Sequence, residues 1–173
     1  MSGHKDKFVR FPTQPTDTDW LRMATLLDTE GSIKVARNKP HTKCGGKSYH
    51  YALYVQVTNS DPRIPYWCLA IFGGNMEIRI PEKSSHKNCF VWSALSRRAQ
   101  AVLEGCMGFF LAKRDQAELA LTLRQKVGNT KYCRGGVSPE REIQRASIWK
   151  QLSALKHRNF TPQEAEQMSR TIQ

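Results

Sequence analysis

Hydrophobic positions along the chain follow two different periods, and the change between them marks the predicted elements. In the segment DWLRMATLLD, Trp20, Met23, Ala24 and Leu27 fall at helical spacing, with candidate N-caps at residues 16–18. In SIKVAR and YHYALYVQVT every second residue is apolar, which predicts two strands with one apolar face each. Gly31 permits a sharp turn between this helix and the first strand.

The rest of the chain continues the pattern. A second helix is predicted to begin at Pro62, with Ser60 or Asp61 as its cap, and to stop at Gly73 or Gly74. The segments NMEIRIP and NCFVWSA alternate again and predict two more strands. Further helices are predicted over 96–104, over 110–126 before Gly128, over 139–155 with Ser138 as cap, and over a short stretch after Thr161 and Pro162.

This order of elements predicts an α+β fold. A four-stranded antiparallel sheet with helices on one face satisfies the order, because each strand has a single apolar side. The opposite face is then left open and carries Lys, Arg, Gln, Asn, Tyr and His side chains. Such a face suits the major groove of DNA, where base edges offer distinct donors and acceptors.

Charge narrows the choice of partner. The chain has 27 Lys+Arg against 15 Asp+Glu, a formal charge of +12, which favours a polyanion and above all nucleic acid. No acid occurs between Glu30 and Asp61. A solvated loop is the plain alternative for the basic run in this interval, but the adjoining strands favour contact with nucleic acid.

Other classes of protein fit the sequence poorly. The first residues lack an apolar signal core, and the chain has no basic amphipathic helix and no apolar run of bilayer length, so we expect no membrane partner. Five widely spaced cysteines without a C-x-x-C pair indicate reduced thiols rather than a zinc or redox site. We therefore expect an intracellular protein, located in the cytoplasm or in an organelle.

Two acids, Asp28 and Glu30, lie where the first helix ends. The helix dipole disfavours negative charge at this end, so neither acid is placed there for helix stability. A carboxylate beside a phosphate-binding face is repelled by DNA unless a cation intervenes, and Mg²⁺ commonly bridges carboxylates to phosphate oxygens. The residues alone leave two readings open, a hydrolytic centre and a solvated turn.

The segment MATLLDTEGS resembles the LAGLIDADG motif of homing endonucleases, a helix followed by acid, small residue, acid, glycine and strand. Downstream features agree in order with the single-motif, homodimeric branch: the strand end VQVTN, Arg63, the FGG break, two strands, GFFLAKRDQAELAL, the SPE helix start and the KHRNF tail. The resemblance implies an αββαββα core with a saddle-shaped sheet. It implies a single LAGLIDADG endonuclease domain over 16–160. The Pro, Thr and charged residues before this domain predict a flexible N-terminal lead-in over 1–15, and a C-terminal tail or short helix is predicted over 161–173.

The resemblance also implies an activity and a metal. The expected function is site-specific double-strand cleavage of DNA at a long, near-palindromic site, with Mg²⁺ as cofactor, Mn²⁺ or Ca²⁺ able to replace it for binding, and no small-molecule cofactor. Glu30 matches the acid that binds the metal, with the backbone carbonyl of Thr29 as a second ligand, whereas Asp28 matches a mainly structural acid. The motif usually has Asp at position 30, so the longer Glu is expected to shift the metal.

Three further residues receive catalytic roles from the resemblance. Asn59 matches a polar residue that positions water, Arg63 a basic residue near the same pocket, and Lys113 a lysine that stabilises charge. Each of the three residues also has an alternative role that involves no catalysis. Asn59 could cap the next helix, Arg63 could be a surface charge, and Lys113 could be a solvated helix residue.

Strand alternation predicts which side chains read DNA. The base-reading set on the open face is Lys34, Ala36, Asn38, His50, Ala52, Tyr54, Gln56, Glu77, Arg79 and Val91. Arg79 with guanine and Gln56 with adenine are natural bidentate pairs. The residues predicted to contact phosphates are Lys39, Lys43, Lys47 and Lys87. A one-residue slip of register would reverse each assignment.

One motif supplies one acidic turn, whereas cutting both strands of a duplex requires two. A two-fold homodimer with the first helix at an isologous interface provides the second turn. The predicted interface residues are Trp20, Met23, Ala24 and Leu27. Thr25 stands where the motif usually has glycine, so the two helices are expected to cross at a wider spacing.

Two other functions remain open at the level of sequence. A non-cleaving binder of the same fold, such as a maturase or a regulator, would keep the basic sheet without needing Glu30. An RNA-binding structural protein would place aromatic rings on the open face, where only Tyr54 does so clearly.

Overall fold

The computed structural model describes residues 9–40, 48–81, 87–127 and 137–156, together with 161, 163, 164 and 167. Within these residues the elements follow the predicted αββαββα order, with two more helices after it. They are α1 (Asp17–Thr29), β1 (Gly31–Asn38), β2 (His50–Asn59), α2 (Arg63–Phe72), β3 (Asn75–Arg79), β4 (Cys89–Leu95), α3 (Ser96–Cys106), α4 (Arg114–Val127) and α5 (Pro139–Lys156).

The four strands form one antiparallel sheet in the order β1-β2-β4-β3. Ile33 pairs with Val55 and Val57 pairs with Trp92, and all four side chains are fully buried against the helices. Lys34 pairs with Tyr54 on the opposite face. The predicted α+β fold, with helices on one face of a four-stranded antiparallel sheet, is therefore confirmed.

An aromatic cluster anchors the centre of the core. The ring of Phe72 at the end of α2 contacts Trp20 of α1 at 5.1 Å between centroids and Trp92 of β4 at 6.4 Å. Trp92 Nε1 donates a 2.6 Å hydrogen bond to the carbonyl of Gly73, so its polar atom is satisfied inside the core. Gly73 has φ +64°, a conformation that suits glycine and ends α2.

Phe11, which lies within the segment 1–15 that the sequence predicts to be a flexible lead-in, packs against the core. Its ring lies 5.6 Å from that of Trp20 and 5.9 Å from that of Phe72, and Thr13 donates a hydrogen bond to the carbonyl of Ile71. The packed part of the domain therefore begins before residue 16, because an apolar ring within a polar segment is enough to fix that segment to the core.

One predicted helix start is wrong. Helix α4 begins at Arg114 rather than at residue 110. Every other predicted helix and strand end among the described residues lies within two residues of its observed position, including the start of α2 at Arg63, with Pro62 as its cap, and the end of β3 at Arg79. Gly128 and the KHRNF segment from residue 157 onward lie outside the described residues.

Two smaller observations bear on the expected tail and on membranes. Thr161 Oγ1 accepts the N–H of Glu164, and Gln163 and Glu164 have helical backbone conformation. Among the described residues, no helix combines the length and apolar character that a bilayer span requires.

Candidate active site

Glu30 lies at the junction of α1 and β1. It caps α1 with φ −110°, and its N–H donates a 2.9 Å hydrogen bond to the carbonyl of Leu26. Gly31 follows because a Cβ there would come within 2.5 Å of Leu27 Cα. The turn is thus so tight that only glycine fits at its second residue, and it leaves the Glu30 side chain exposed.

The end of β2 brings Asn59 to this carboxylate. Gly31 pairs with Val57 in the sheet, which sets the register, and Asn59 Nδ2 donates a short hydrogen bond to Glu30 Oε2. Asn59 Oδ1 accepts the N–H of Asp61 at 2.8 Å. The structure therefore joins two of the four predicted catalytic side chains directly.

Arg63 is held by Asp61, a residue that the sequence predicts only as a candidate helix cap. Its Nε donates to both carboxylate oxygens of Asp61 at 3.0 Å, and its Nη2 donates to Oδ2. These hydrogen bonds lower the pKa of Asp61 to about 2. The order Asn-Ser-Asp-Pro-Arg was the available signal, because an acid two residues before an arginine at a helix start can contact it.

Lys113 contacts the backbone of the turn between α1 and β1. Its Nζ donates to the carbonyl of Gly31 at 2.8 Å and to the carbonyl of Leu27, so the ammonium is occupied by the backbone of the motif. Burial lowers the pKa of Lys113, an effect that the Asp28 carboxylate opposes. The residue is close to the candidate site, but its amine faces the motif's backbone.

Asp28 connects α1 to the segment before α4. Its two carboxylate oxygens accept the N–H groups of Leu111 and Lys113, both at 2.8 Å. This explains why α4 starts late: these N–H groups are satisfied by a side chain outside the helix. These two hydrogen bonds give a specific geometry to the structural role that the family resemblance implies for Asp28.

The capacity of the turn for a cation rests on Glu30. Its carboxylate is exposed, Oε2 accepts from Asn59, and Oε1 has no hydrogen-bond partner among the described residues. Within those residues no three His, Cys, Asp or Glu side chains converge, so other ligands, such as the backbone carbonyl of the adjoining Thr29, would have to complement Glu30. Mg²⁺ is commonly held by one or two carboxylates, waters and substrate phosphates, so the residues present fit such an ion.

The open face of the sheet carries most of the predicted DNA-reading residues. Lys34 stands over the Tyr54 ring at 5.9 Å, and Arg79 pairs with Glu77 at 3.1 Å. Ala52 and Val91 lie on this face by register, but only 7% and 1% of their surfaces are exposed. The remaining members of the set are exposed or half-buried, and so are the two described lysines that are predicted to contact phosphates: Ala36, Asn38, Lys39, His50, Gln56 and Lys87. Lys43 and Lys47 lie outside the described residues.

The predicted dimer interface needs correction. Met23, Ala24 and Leu27 are fully buried in the single chain, and Trp20 packs against Phe72. Met23, Ala24 and Leu27 therefore have no surface left for a second copy, and Trp20 is half-buried, because the helical spacing that the four share faces the subunit's own sheet and helices. The outer surface of α1 instead presents residues such as Leu21, which is 49% exposed, and Thr25.

Comparison with known proteins identifies the fold. No protein-family model matches the sequence, and no curated protein matches it. The homing endonuclease I-CvuI, in complex with its target in the presence of Ca, superposes with a TM-score of 0.64 at 17% identity over 84% of this chain and 85% of that chain. The archaeal intron-encoded homing endonuclease I-Vdi141I, complexed with DNA, gives 0.62 at 14% identity over 84% and 89%.

A longer homing endonuclease gives the same result. The LAGLIDADG homing endonuclease I-GzeII, in complex with its DNA target, matches with a TM-score of 0.53 at 14% identity. The match covers 77% of this chain but only 42% of that one. The chain therefore has the LAGLIDADG fold that its sequence motif predicts.

Proposed function

We propose that the chain is a divalent-metal-dependent, site-specific DNA endonuclease that acts as a homodimer on a long, near-palindromic duplex. The observation that carries this proposal is the exposed Glu30 carboxylate, oriented by Asn59 where α1 meets the open face of the sheet. A net charge of +12 and structural neighbours solved in complex with DNA support it.

Glu30 and the carbonyl of Thr29 would hold the divalent ion together with DNA phosphates. When bound, Mg²⁺ activates water for attack on the phosphodiester and stabilises the leaving 3′ oxygen. Asn59 fixes the rotamer of Glu30 by donating to one of its oxygens, which leaves the other oxygen for the ion. Arg63 offers positive charge to the scissile phosphate, and Lys113 offsets the charge of the acidic turn from below.

The homodimer supplies the second acidic turn. An isologous contact along the outer surface of α1 would bring the two Glu30 residues close to the two-fold axis. Leu21 and Leu111 are 49% and 94% exposed, and apolar side chains of this kind gain by being covered. Two copies would also join their open faces into one extended DNA-binding surface.

The open face would read the duplex. Gln56 is the candidate for adenine and Arg79 for guanine, since each can make two hydrogen bonds to the base edge. Arg79 must first leave Glu77, to which it is bonded at 3.1 and 3.2 Å. Lys39 and Lys87 are exposed and would contact phosphates.

A nicking assay tests the proposal. The chain is incubated with a randomised duplex library and Mg²⁺, and cleaved ends are sequenced. We expect a defined set of ends that vanishes with EDTA and with Glu30→Gln, which keeps the shape but removes the charge. The control is Glu118→Gln, because Glu118 is an exposed acid on α4 paired only with Arg114 among the described residues. Cleavage that survives Glu30→Gln would contradict the assignment.

A second function is favoured by the state of one cation. Lys113 Nζ is bonded to the carbonyls of Leu27 and Gly31, so its ammonium is directed at the backbone of the turn. A non-cleaving DNA binder of the same fold does not need this group for catalysis. Specific duplex binding without cleaved ends, unchanged by Glu30→Gln, would identify the chain as such a binder.

A further inference from the structure

The loop between β2 and α2 is organised around Asp61. The backbone N–H of Asp61 donates to Asn59 Oδ1 at 2.8 Å, and the Asp61 carboxylate accepts the backbone N–H of Arg63 at 3.0 Å. The same carboxylate binds the Arg63 guanidinium through Nε and Nη2. One residue therefore contacts both polar side chains that accompany Glu30.

The first contact determines the orientation of an amide. The side chain of Asn59 has a donor end and an acceptor end, and Oδ1 is occupied by an N–H of the loop. Its NH₂ end must then face Glu30, where it can donate to the carboxylate. The opposite orientation would place two acceptors against each other.

The second contact fixes a side chain that would otherwise be mobile. The Arg63 side chain is 88% exposed, and an exposed arginine samples many rotamers, so ordering it has an entropic cost. The pair with Asp61 uses the Nε edge of the guanidinium and leaves its other N–H groups for a second acceptor. Pro62, with φ −63°, keeps the two residues at a fixed separation.

We propose that Asp61 is a positioning residue that orients the Asn59 amide toward Glu30 and holds Arg63 so that its free edge meets a DNA phosphate. This inference rests on the proposed nuclease function. An exposed ion pair contributes little to stability, so the main effect of losing this one is on geometry. The Asp61 carboxylate is ionised at neutral pH, and the hydrogen bonds from Arg63 lower its pKa further.

Steady-state nicking of the duplex selected from the library tests the role. Asp61→Asn keeps the loop N–H but loses the bidentate pair, and we expect kcat to fall roughly ten- to a hundredfold while KM changes little. In an Arg63→Gln background the same change should have no further effect, because the Asp61 side chain acts through Arg63, whereas the contact with Asn59 is made by the backbone N–H that the variant keeps. Asp61→Glu, which keeps the carboxylate, should retain part of the rate. An unchanged kcat in Asp61→Asn, or effects that multiply in the double variant, would overturn the proposal.

A second measurement separates this inference from the nuclease function. A wild-type chain that never nicks contradicts the nuclease, whereas the holding of Arg63 is read by NMR relaxation of its Nε–H group in the free protein. We expect this group to be ordered in the wild type and in Glu118→Gln, and mobile in Asp61→Asn. Equal mobility in all three would overturn the role of Asp61 whatever the nicking assay gives.

Discussion

The backbone N–H of Lys113 donates a 2.8 Å hydrogen bond to Oδ1 of Asp28. The other carboxylate oxygen accepts the N–H of Leu111 at the same distance. The last turn of α1 is thereby tied to the segment that leads into α4, 83 residues away in the sequence. The position of the acidic turn thus depends on a residue that need not touch substrate.

Removing the Asp28 carboxylate, and with it these two hydrogen bonds, should destabilise the protein. Hydrogen bonds to a charged acceptor contribute about 1.5–3 kcal/mol each, so we expect Asp28→Ala, which removes two of them, to lower the free energy of unfolding by roughly 3–6 kcal/mol. Asp28→Asn keeps one acceptor oxygen and should lose about half as much. Urea denaturation gives these values, with Glu118→Gln as the control. Equal stability of Asp28→Ala and the wild type would mean that water replaces the carboxylate at no cost.

Lys113 should make stability depend on pH at the alkaline end. Burial lowers its pKa below the ordinary value of 10.5, so the unfolded chain binds more protons between the folded pKa and 10.5. The free energy of unfolding of the wild type should therefore rise with pH through that window, relative to Lys113→Met, and show no such slope at lower pH. Urea titrations at several pH values measure the difference. A flat difference up to pH 10.5 would indicate that the amine is solvated.

Gly31 provides a test of the turn with a matched control. A Cβ at Gly31 would lie 2.5 Å from Leu27 Cα and 2.6 Å from Leu27 Cδ2, whereas a Cβ at Gly108 meets nothing within 4 Å. Gly31→Ala should cost about 1–3 kcal/mol as the backbone shifts, and should reduce nicking because Glu30 moves with it. Gly108→Ala should be neutral, or stabilising by up to about 1 kcal/mol. Similar unfolding curves for the two variants would contradict this account.

The alternation of apolar and polar residues was sufficient to predict the sheet. Strand residues alternate with a period of two, so Val55 and Gln56 could be assigned to opposite faces without knowing their neighbours. The acid at the helix end could also be singled out, because a helix dipole gives Glu30 no reason to be there. The placement of Asn59 in the same site as Glu30 could be predicted only from the family resemblance, since 29 residues separate the two in sequence.

The local sequence pattern does not predict features that depend on a contact with a residue distant in the sequence or with a second copy of the chain. The apolar stripe of α1 identified a buried face correctly, but spacing does not reveal whether that face is covered by the same chain or by a second copy. Met23 and Leu27 are covered by the subunit itself. The late start of α4 was equally hidden, because the acceptor for the Leu111 N–H is a side chain on α1.

The corrected dimer surface leads to a last prediction. Leu21 is 49% exposed on the outer surface of α1, and a charge at this position in an isologous contact would meet its own copy across the two-fold axis. Leu21→Glu should therefore shift the chain from dimer to monomer in sedimentation velocity and abolish double-strand cleavage, because only one acidic turn reaches the duplex. Ile143→Glu is the matched control, since Ile143 is 70% exposed on α5 and should leave the dimer intact. Met23→Glu, which buries a charge in the core, should instead unfold the subunit. A Leu21→Glu dimer with full activity would place the contact elsewhere, because two like charges facing each other across the axis would oppose the α1 interface.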